Sequence, residues 1–254
     1  MGSLALVLTA SVASAQYSPL TISSGLNVNV IASGSSAPSS TQGTIDGTDV
    51  FYDNTYTPAN AANFPNYTLG AFPASTSITN SSGVIYNLPA AGVNNGLLVN
   101  NIVGSGTLSF SDTGNLQTLY LLGTSSGSPL LTYTLVFAGG VQTDPLTFRF
   151  PDWYTGGVGD VNGLGRVGSM GEAADQYDGT DGNNFSLYTI AIPIPLADQS
   201  LSLESINIGV SDSQDPGSAV VFAASGGTVA TPEPTPLVLA AVGVGLLAIL
   251  RRRS

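Results

Sequence analysis

Four residues in the second half of the chain have the chemistry of a glycan platform. Asp152, Trp153 and Tyr154 are consecutive, and Tyr177 follows after a stretch rich in Gly and Asp. Aromatic rings offer flat apolar faces for sugar rings, while carboxylates accept hydrogen bonds from hydroxyl groups. A large aromatic side chain at the end of a strand is equally typical of a packed core. We favour the core interpretation for Trp153 and keep the platform as the alternative.

A second group of polar residues offers oxygen ligands for a metal ion. Asp175, Asp178 and Asp181 lie within a short segment that also contains Gly and Asn. Calcium prefers carboxylate and carbonyl oxygens, but the spacing of these aspartates does not match the EF-hand loop. Asp, Asn and Gly are also the residues that form turns. The sequence therefore predicts a solvated loop, which we favour, or a Ca²⁺ site, and no other cofactor.

The residues that the chain lacks limit its catalytic chemistry. It contains no His, Lys or Cys, so a Ser-His-Asp triad, a thiolate nucleophile and a disulfide are excluded. The remaining option is a carboxylate pair as in glycoside hydrolases, with Asp152, Asp160 and Glu172 as candidates. Acidic chains contain such sets by chance, so we expect no catalytic residue and no enzymatic activity.

The charge balance excludes one class of partner. The formal net charge is −11 at pH 7, and charged residues make up only 8% of the chain. Affinity for nucleic acid depends on cationic side chains that neutralise phosphates, so we expect no nucleic-acid binding. Hydroxyl and amide groups must therefore make most of the hydrogen bonds between the protein surface and water.

Alternating residues predict the strands that position these side chains. Apolar and polar residues alternate over 131–137, 146–150 and 26–30, as in strands with one face in a core. Gly139 and Gly140 predict a hairpin turn, since glycine tolerates positive φ. The alternation slips after Glu204, which is typical of a β-bulge. Further strands are expected at 84–88, 97–103, 107–111, 117–123, 185–192, 201–210 and 219–224.

This pattern predicts an all-β fold. Many short strands without a helical pattern favour a two-layer antiparallel sandwich of the jelly-roll type, which we expect over residues 16–225. Residues 151–184 show little apolar periodicity and are expected to form a long loop region, which is often functional or mobile. A linker is expected over residues 226–235.

The order of motifs in the second half resembles that of carbohydrate-binding jelly rolls attached to glycoside hydrolases. The resemblance covers about residues 105–225. It rests on Leu116–Gly123, a strand–turn–strand unit, Pro151–Trp153, Phe185–Tyr188 and Leu203–Ile208. Gly139 stands where such modules usually have Asp. The resemblance implies a jelly-roll fold and, as a further expectation, binding to polysaccharide.

The N-terminus has the pattern of a secretory signal peptide. A short apolar run leads to Ala13 and Ala15 in an A-x-A arrangement, which predicts cleavage before Gln16. No Lys or Arg precedes the apolar run, although signal peptides usually carry one. We expect residues 1–15 to direct the chain to the secretion machinery.

The C-terminus combines a proline motif, an apolar span and a basic cluster. The span from Leu237 to Leu250 would rise about 21 Å as a helix, against about 30 Å for a hydrocarbon core. Flanking arginines can reach the interface and keep the terminus in the cytoplasm, which places the main domain outside. The motif is formed by Pro232, Glu233 and Pro234, and the cluster by Arg251, Arg252 and Arg253.

This combination, over residues 231–254, resembles the PEP-CTERM sorting signal. The resemblance implies export by a Gram-negative bacterium and an inner-membrane intermediate held by residues 236–254. It further implies recognition by an exosortase, removal of the span near Pro234, and delivery to the cell envelope or an exopolysaccharide matrix. A retained membrane anchor is the open alternative.

The sequence thus leads to one main hypothesis and two alternatives. The main hypothesis is an exported surface or matrix protein with a structural or adhesive role near exopolysaccharide. The first alternative is a carbohydrate-binding module, with or without bound Ca²⁺, and the second is a glycoside hydrolase that uses only carboxylates. Low charge and exposed strand edges also suggest self-association.

Overall fold

The computed structural model describes residues 15–34, 36–111, 113–154, 159–178, 184–212 and 216–229. The chain divides into two units, Tyr17–Gly227 and the combined segments Met1–Gln16 and Thr228–Ser254. The first unit contains the sheets and the buried core. Of the second unit, the structure describes only residues 15–16 and 228–229.

The described residues are mostly strands joined by turns. One short helix, α1, covers Ala37–Ser40, and three 3₁₀ turns cover Ala61–Asn63, Tyr67–Gly70 and Gly171–Ala173. The strands are β1 (Ala15–Ser24), β2 (Ile31–Ala32), β3 (Asp49–Tyr52), β4 (Ser77–Thr79), β5 (Ile85–Asn87), β6 (Leu97–Asn100), β7 (Ser105–Ser111), β8 (Thr118–Ser126), β9 (Leu131–Phe137), β10 (Val141–Gln142), β11 (Leu146–Phe148), β12 (Val161–Leu164), β13 (Val167–Gly168), β14 (Phe185–Pro193), β15 (Leu203–Val210) and β16 (Ser218–Val229).

Eleven strands form one large antiparallel sheet with two halves that share a core. The order is β10-β9-β15-β7-β1-β16-β8-β14-β12, with β11 beside β9 and β6 beside β16. Apolar side chains of β7, β9 and β15 pack with those of β6, β8, β14 and β16 in one buried cluster. The predicted all-β sandwich is confirmed, and neighbours distant in sequence, such as β15 beside β7, agree with a jelly-roll type.

The outer half of the sandwich, formed by β7, β9 and β15, follows the predicted alternation. Along β9, every second residue from Leu131 to Phe137 is buried, and Thr132 and Thr134 lie on the opposite face. Gly139 and Gly140 have φ of 83° and 79° and form the predicted turn into β10. The pairing of β15 with β9 shifts between Leu203 and Ser205, so the predicted bulge is also present.

Much of the inner half of the sandwich, formed by β6, β8, β14 and β16, is buried on both faces, which the sequence pattern did not predict. In β16, Val221 and Ala224 face the sandwich core, whereas Val220 and Phe222 face a second apolar cluster. A cover layer, residues 28–88 and 165–178, supplies most of that cluster. It includes the small sheets β13-β3-β2 and β4-β5. Strands enclosed in this way are apolar on both faces, so period-2 patterns disappear.

Several predicted segments differ from the structure. β11 ends at Phe148, and its Leu146 is 48% exposed instead of facing the core. Residues 101–103, expected in a strand, form a turn after β6.

Residues 26–30 make only an isolated bridge, between Val28 and Gly96. Asn27 explains the difference, because its amide donates to the Leu98 carbonyl (3.0 Å) and accepts from the Leu98 N–H (2.8 Å) in place of a backbone partner. Residues 151–184, expected to be a loop region, contain β12 and β13 and contribute to the apolar cluster under the cover layer.

The predicted linker begins too early. Gly226 and Gly227 belong to β16 and pair with Leu119 and Thr118 of β8. A Cβ on Gly226 would lie 2.5 Å from the Leu116 side chain, so this glycine leaves room for Leu116 and is part of the packed sheet. The predicted signal peptide, PEP motif, apolar helix and Arg cluster lie outside the described residues, apart from Ala15. In the described part of the chain, no helix is long and apolar enough to cross a bilayer.

Candidate functional site

The single tryptophan lies in the core under the cover layer. Trp153 is 2% exposed. Its ring centroid lies 5.3 Å from that of Phe51 in an edge-to-face contact and 4.7 Å from that of Phe185. Both neighbours are fully buried. The ring therefore contributes packing and offers no open face to a sugar.

The other three platform candidates do not form one surface. Asp152 caps a turn, because its carboxylate accepts hydrogen bonds from the N–H groups of Gly127 (2.7 Å) and Tyr154 (2.9 Å). Tyr154 is 46% exposed, whereas Tyr177 is 6% exposed and its ring contacts belong to a different aromatic cluster. The predicted platform of Asp152, Trp153, Tyr154 and Tyr177 is thus not assembled.

Arg166 lies between aromatic rings and three carboxylates. It follows β12, and its guanidinium carbon is 4.7 Å from the Phe185 ring centroid and 5.7 Å from that of Trp153. Both contacts are within the range of cation–π attraction. On its other side, the guanidinium forms a carboxylate cluster with Asp178 (2.6 Å), Asp46 (3.2 Å) and Asp49 (3.7 Å).

The carboxylate cluster carries more negative than positive charge. Burial and the neighbouring Asp46 raise the pKa of Asp49 to about 6, although Thr48 and Arg166 stabilise its ionised form. A cleft of about 400 Å³ lies beside it, lined by Thr48, Asp49, Met170, Gln176, Tyr177 and Asp178 among others. Three segments of the cover layer meet at this cluster, so its immediate role is to hold them together.

The predicted calcium ligands have separate partners. The carboxylate of Asp175 accepts hydrogen bonds from the Ala37 N–H at the start of α1 and from the Tyr56 hydroxyl (3.1 Å). Asp178 pairs with Arg166, and Asp181 lies outside the described residues. The structure does not bring Asp175 and Asp178 together as a ligand set. Among the described residues, no three acidic side chains are placed to hold a metal ion.

The carboxylates considered for catalysis also bind backbone groups. Asp160 accepts a hydrogen bond from the Thr189 N–H at 2.7 Å, and Asp152 caps its turn as described. Glu172 lies in the 3₁₀ turn Gly171–Ala173. For Asp152 and Asp160 these bonds define a structural use of the side chain.

A cluster of five aromatic residues was missed by the sequence reasoning. Its inner rings are buried, and its outer rings, Phe64 and Tyr67, are half-buried at the surface of the cover layer. The Tyr177 ring centroid is 5.2 Å from that of Phe64 and 6.5 Å from that of Tyr67. The available signal was the segment Asn60–Gly70, where aromatic and Asn residues alternate without charge. The members are Tyr52, Tyr56, Phe64, Tyr67 and Tyr177.

Comparisons with known proteins add little. No family model matches the chain, and no curated protein matches it. Among solved structures, the enzymatically active domain of tailspike protein 4 from bacteriophage CBA120 is similar over 49% of this chain, with 16% identity and a TM-score of 0.27. The match spans only 14% of the tailspike chain. A similarity this low carries no argument about the fold or activity of this protein.

Proposed function

We propose that the protein is an exported, non-catalytic β-sandwich that its C-terminal tail sorts to the cell surface or extracellular matrix. There it has a structural or adhesive role near exopolysaccharide. One observation carries the proposal: the buried core and all but the terminal residues of β1 and β16 lie in the unit Tyr17–Gly227. Cleavage before Gln16 removes only the first residue of β1, and cleavage near Pro234 occurs after the end of β16.

The outer face of the sandwich suits a hydrated, uncharged matrix. Thr134, Asn207 and Thr107 are neighbours across three strands, and the Thr107 hydroxyl donates to the Asn207 side-chain oxygen at 2.7 Å. These uncharged side chains can form hydrogen bonds with water at the surface of the sheet. The backbone-binding carboxylates Asp152 and Asp160 support a structural rather than a catalytic protein.

Intact mass spectrometry of the protein from the surface and matrix of the producing bacterium tests this proposal. We expect a chain that begins at Gln16 and ends near Pro234. Replacing Pro232, Glu233 and Pro234 by Ala should leave the chain in the membrane fraction with its full C-terminus. Pro236→Ala is the matched control and should be processed normally. A surface-located wild-type chain that keeps Arg251–Arg253 contradicts sorting by cleavage.

A further inference from the structure

The outer rings of the aromatic cluster are held in place from below. The Tyr52 hydroxyl donates to the Tyr67 carbonyl oxygen at 2.5 Å. The Asn60 amide donates to the Tyr177 carbonyl (3.0 Å) and accepts from the Tyr177 N–H (2.8 Å). Because the buried partners fix the backbone around Phe64 and Tyr67, a ligand that contacts these rings has little ordering cost.

The surroundings of these rings are polar but uncharged. Asn63 and Asn66 are exposed beside them, and Leu69, in the following 3₁₀ turn, is 77% exposed. No charged residue occurs between Asp53 and Asp112 in a chain whose net charge is −11. The two acids nearest to Tyr177 in sequence already have partners. Asp175 accepts a hydrogen bond from the Ala37 N–H of α1, and Asp178 forms an ion pair with Arg166.

We propose that this aromatic loop, residues 60–70 over Tyr177, binds a neutral polysaccharide. The rings of Phe64 and Tyr67 would contact sugar rings, while the Asn63 and Asn66 amides would bond hydroxyl groups. Such a combination of apolar faces and a few polar groups is typical of small-ligand sites. The apolar area that Phe64, Tyr67 and Leu69 expose is far smaller than the roughly 800 Å² that each partner buries in a stable protein interface. The loop therefore suits a sugar chain better than a protein partner. A neutral ligand also meets no repulsion here.

The inference adds a ligand to the proposed surface role but does not depend on export. The contacting loop, residues 60–70, lies outside the segment that resembles carbohydrate-binding jelly rolls, and Phe64 and Tyr67 take the stacking role first considered for Trp153. Binding is measured on the purified chain, so a failure of processing in the bacterium and a failure of binding are separate results.

Affinity electrophoresis of the full chain tests the inference. The chain is kept in a polyoxyethylene detergent, which has no sugar headgroup, and run through gels that contain laminarin, dextran, hydroxyethylcellulose or anionic alginate. We expect retardation by at least one neutral polysaccharide and none by alginate. Phe64→Ala and Tyr67→Ala should weaken it about tenfold or more, as for central contact residues. Tyr154→Ala, an exposed aromatic elsewhere, should leave retardation unchanged.

A second pair of variants separates binding from folding. Asn63→Asp and Asn66→Asp remove an amide N–H donor at exposed positions without altering the core, so they should weaken retardation while the unfolding midpoint stays the same. Loss of retardation in Tyr154→Ala but not in Tyr67→Ala would overturn the inference. So would full retardation of both Asp variants, or the absence of retardation by all three neutral polysaccharides.

Discussion

At the residue scale, Arg166 connects the aromatic core to the carboxylate cluster. Its guanidinium rests on Phe185 and Trp153 and binds carboxylates from two other segments of the cover layer. Sequence reasoning identified Asp178 as a ligand candidate but could not find this arrangement. The residues concerned lie far apart in the chain, and spacing along one segment does not show which partner a carboxylate meets.

The carboxylate cluster makes stability depend on pH. Because the folded-state pKa of Asp49 is raised from 3.8 to about 6, the folded chain holds this proton more tightly than the unfolded chain. Its contribution therefore falls as pH rises from about 4 to 6, and is lowest above that window. Asp49→Asn should raise the unfolding midpoint at pH 7 by a few degrees, since about 1 kcal/mol corresponds to roughly 2–4 °C at this size.

Circular dichroism melts at pH 4 and pH 7 measure this effect. The gain from Asp49→Asn should shrink at pH 4, where wild-type Asp49 is largely protonated. Asp144→Asn is the matched control, because Asp144 is exposed. An Asp49→Asn midpoint below that of the wild type at pH 7 would show that the ionised carboxylate stabilises the fold instead.

At the element scale, periodicity predicted the strands that have one buried face. It did not predict the strands that are buried on both faces, nor the cover layer that buries them. β9 begins and ends where the alternation does, at Leu131 and Phe137. β16 is buried from Ser218 to Gly227, so its sequence carries apolar and small residues without alternation. The local sequence around Gly226 and Gly227 does not distinguish them from linker glycines, because the side chains that pack over them belong to other elements.

The glycine at the end of β16 offers a direct test of this packing. Gly226→Ala should destabilise the protein by about 1–3 kcal/mol, as extra atoms in a filled core do, because its Cβ would meet Leu116. Gly114→Ala is the matched control, since a Cβ there meets nothing within 4 Å. Urea unfolding measures both. If Gly226→Ala were as stable as the wild type, the packing role assigned to Gly226 would be wrong.

At the scale of the whole molecule, one end of the large sheet is interrupted. β10 and β11 both pair with β9, and the break between them contains Pro145. Proline and short edge strands are common protections against pairing with another chain. The interruption counts against the self-association suggested by low charge, because a second copy finds no continuous edge at this end.

Restoring that edge should promote association. Pro145→Val supplies a backbone N–H and a strand-forming side chain, so we expect oligomers in sedimentation velocity at concentrations where the wild type is monomeric. Pro195→Val, in the turn after β14, is the control and should remain monomeric. Association of the wild type to the same extent would mean that another surface joins the copies.

The position of Trp153 gives the molecule an internal optical reporter. Its indole lies between Phe51 of the cover layer and Phe185 of β14, and no other residue of the chain is a tryptophan. Its fluorescence emission therefore shifts when the cover layer separates from the inner sheet, as well as when the whole chain unfolds. A red shift that precedes the loss of β-sheet signal would reveal a partly opened form with the sandwich still intact.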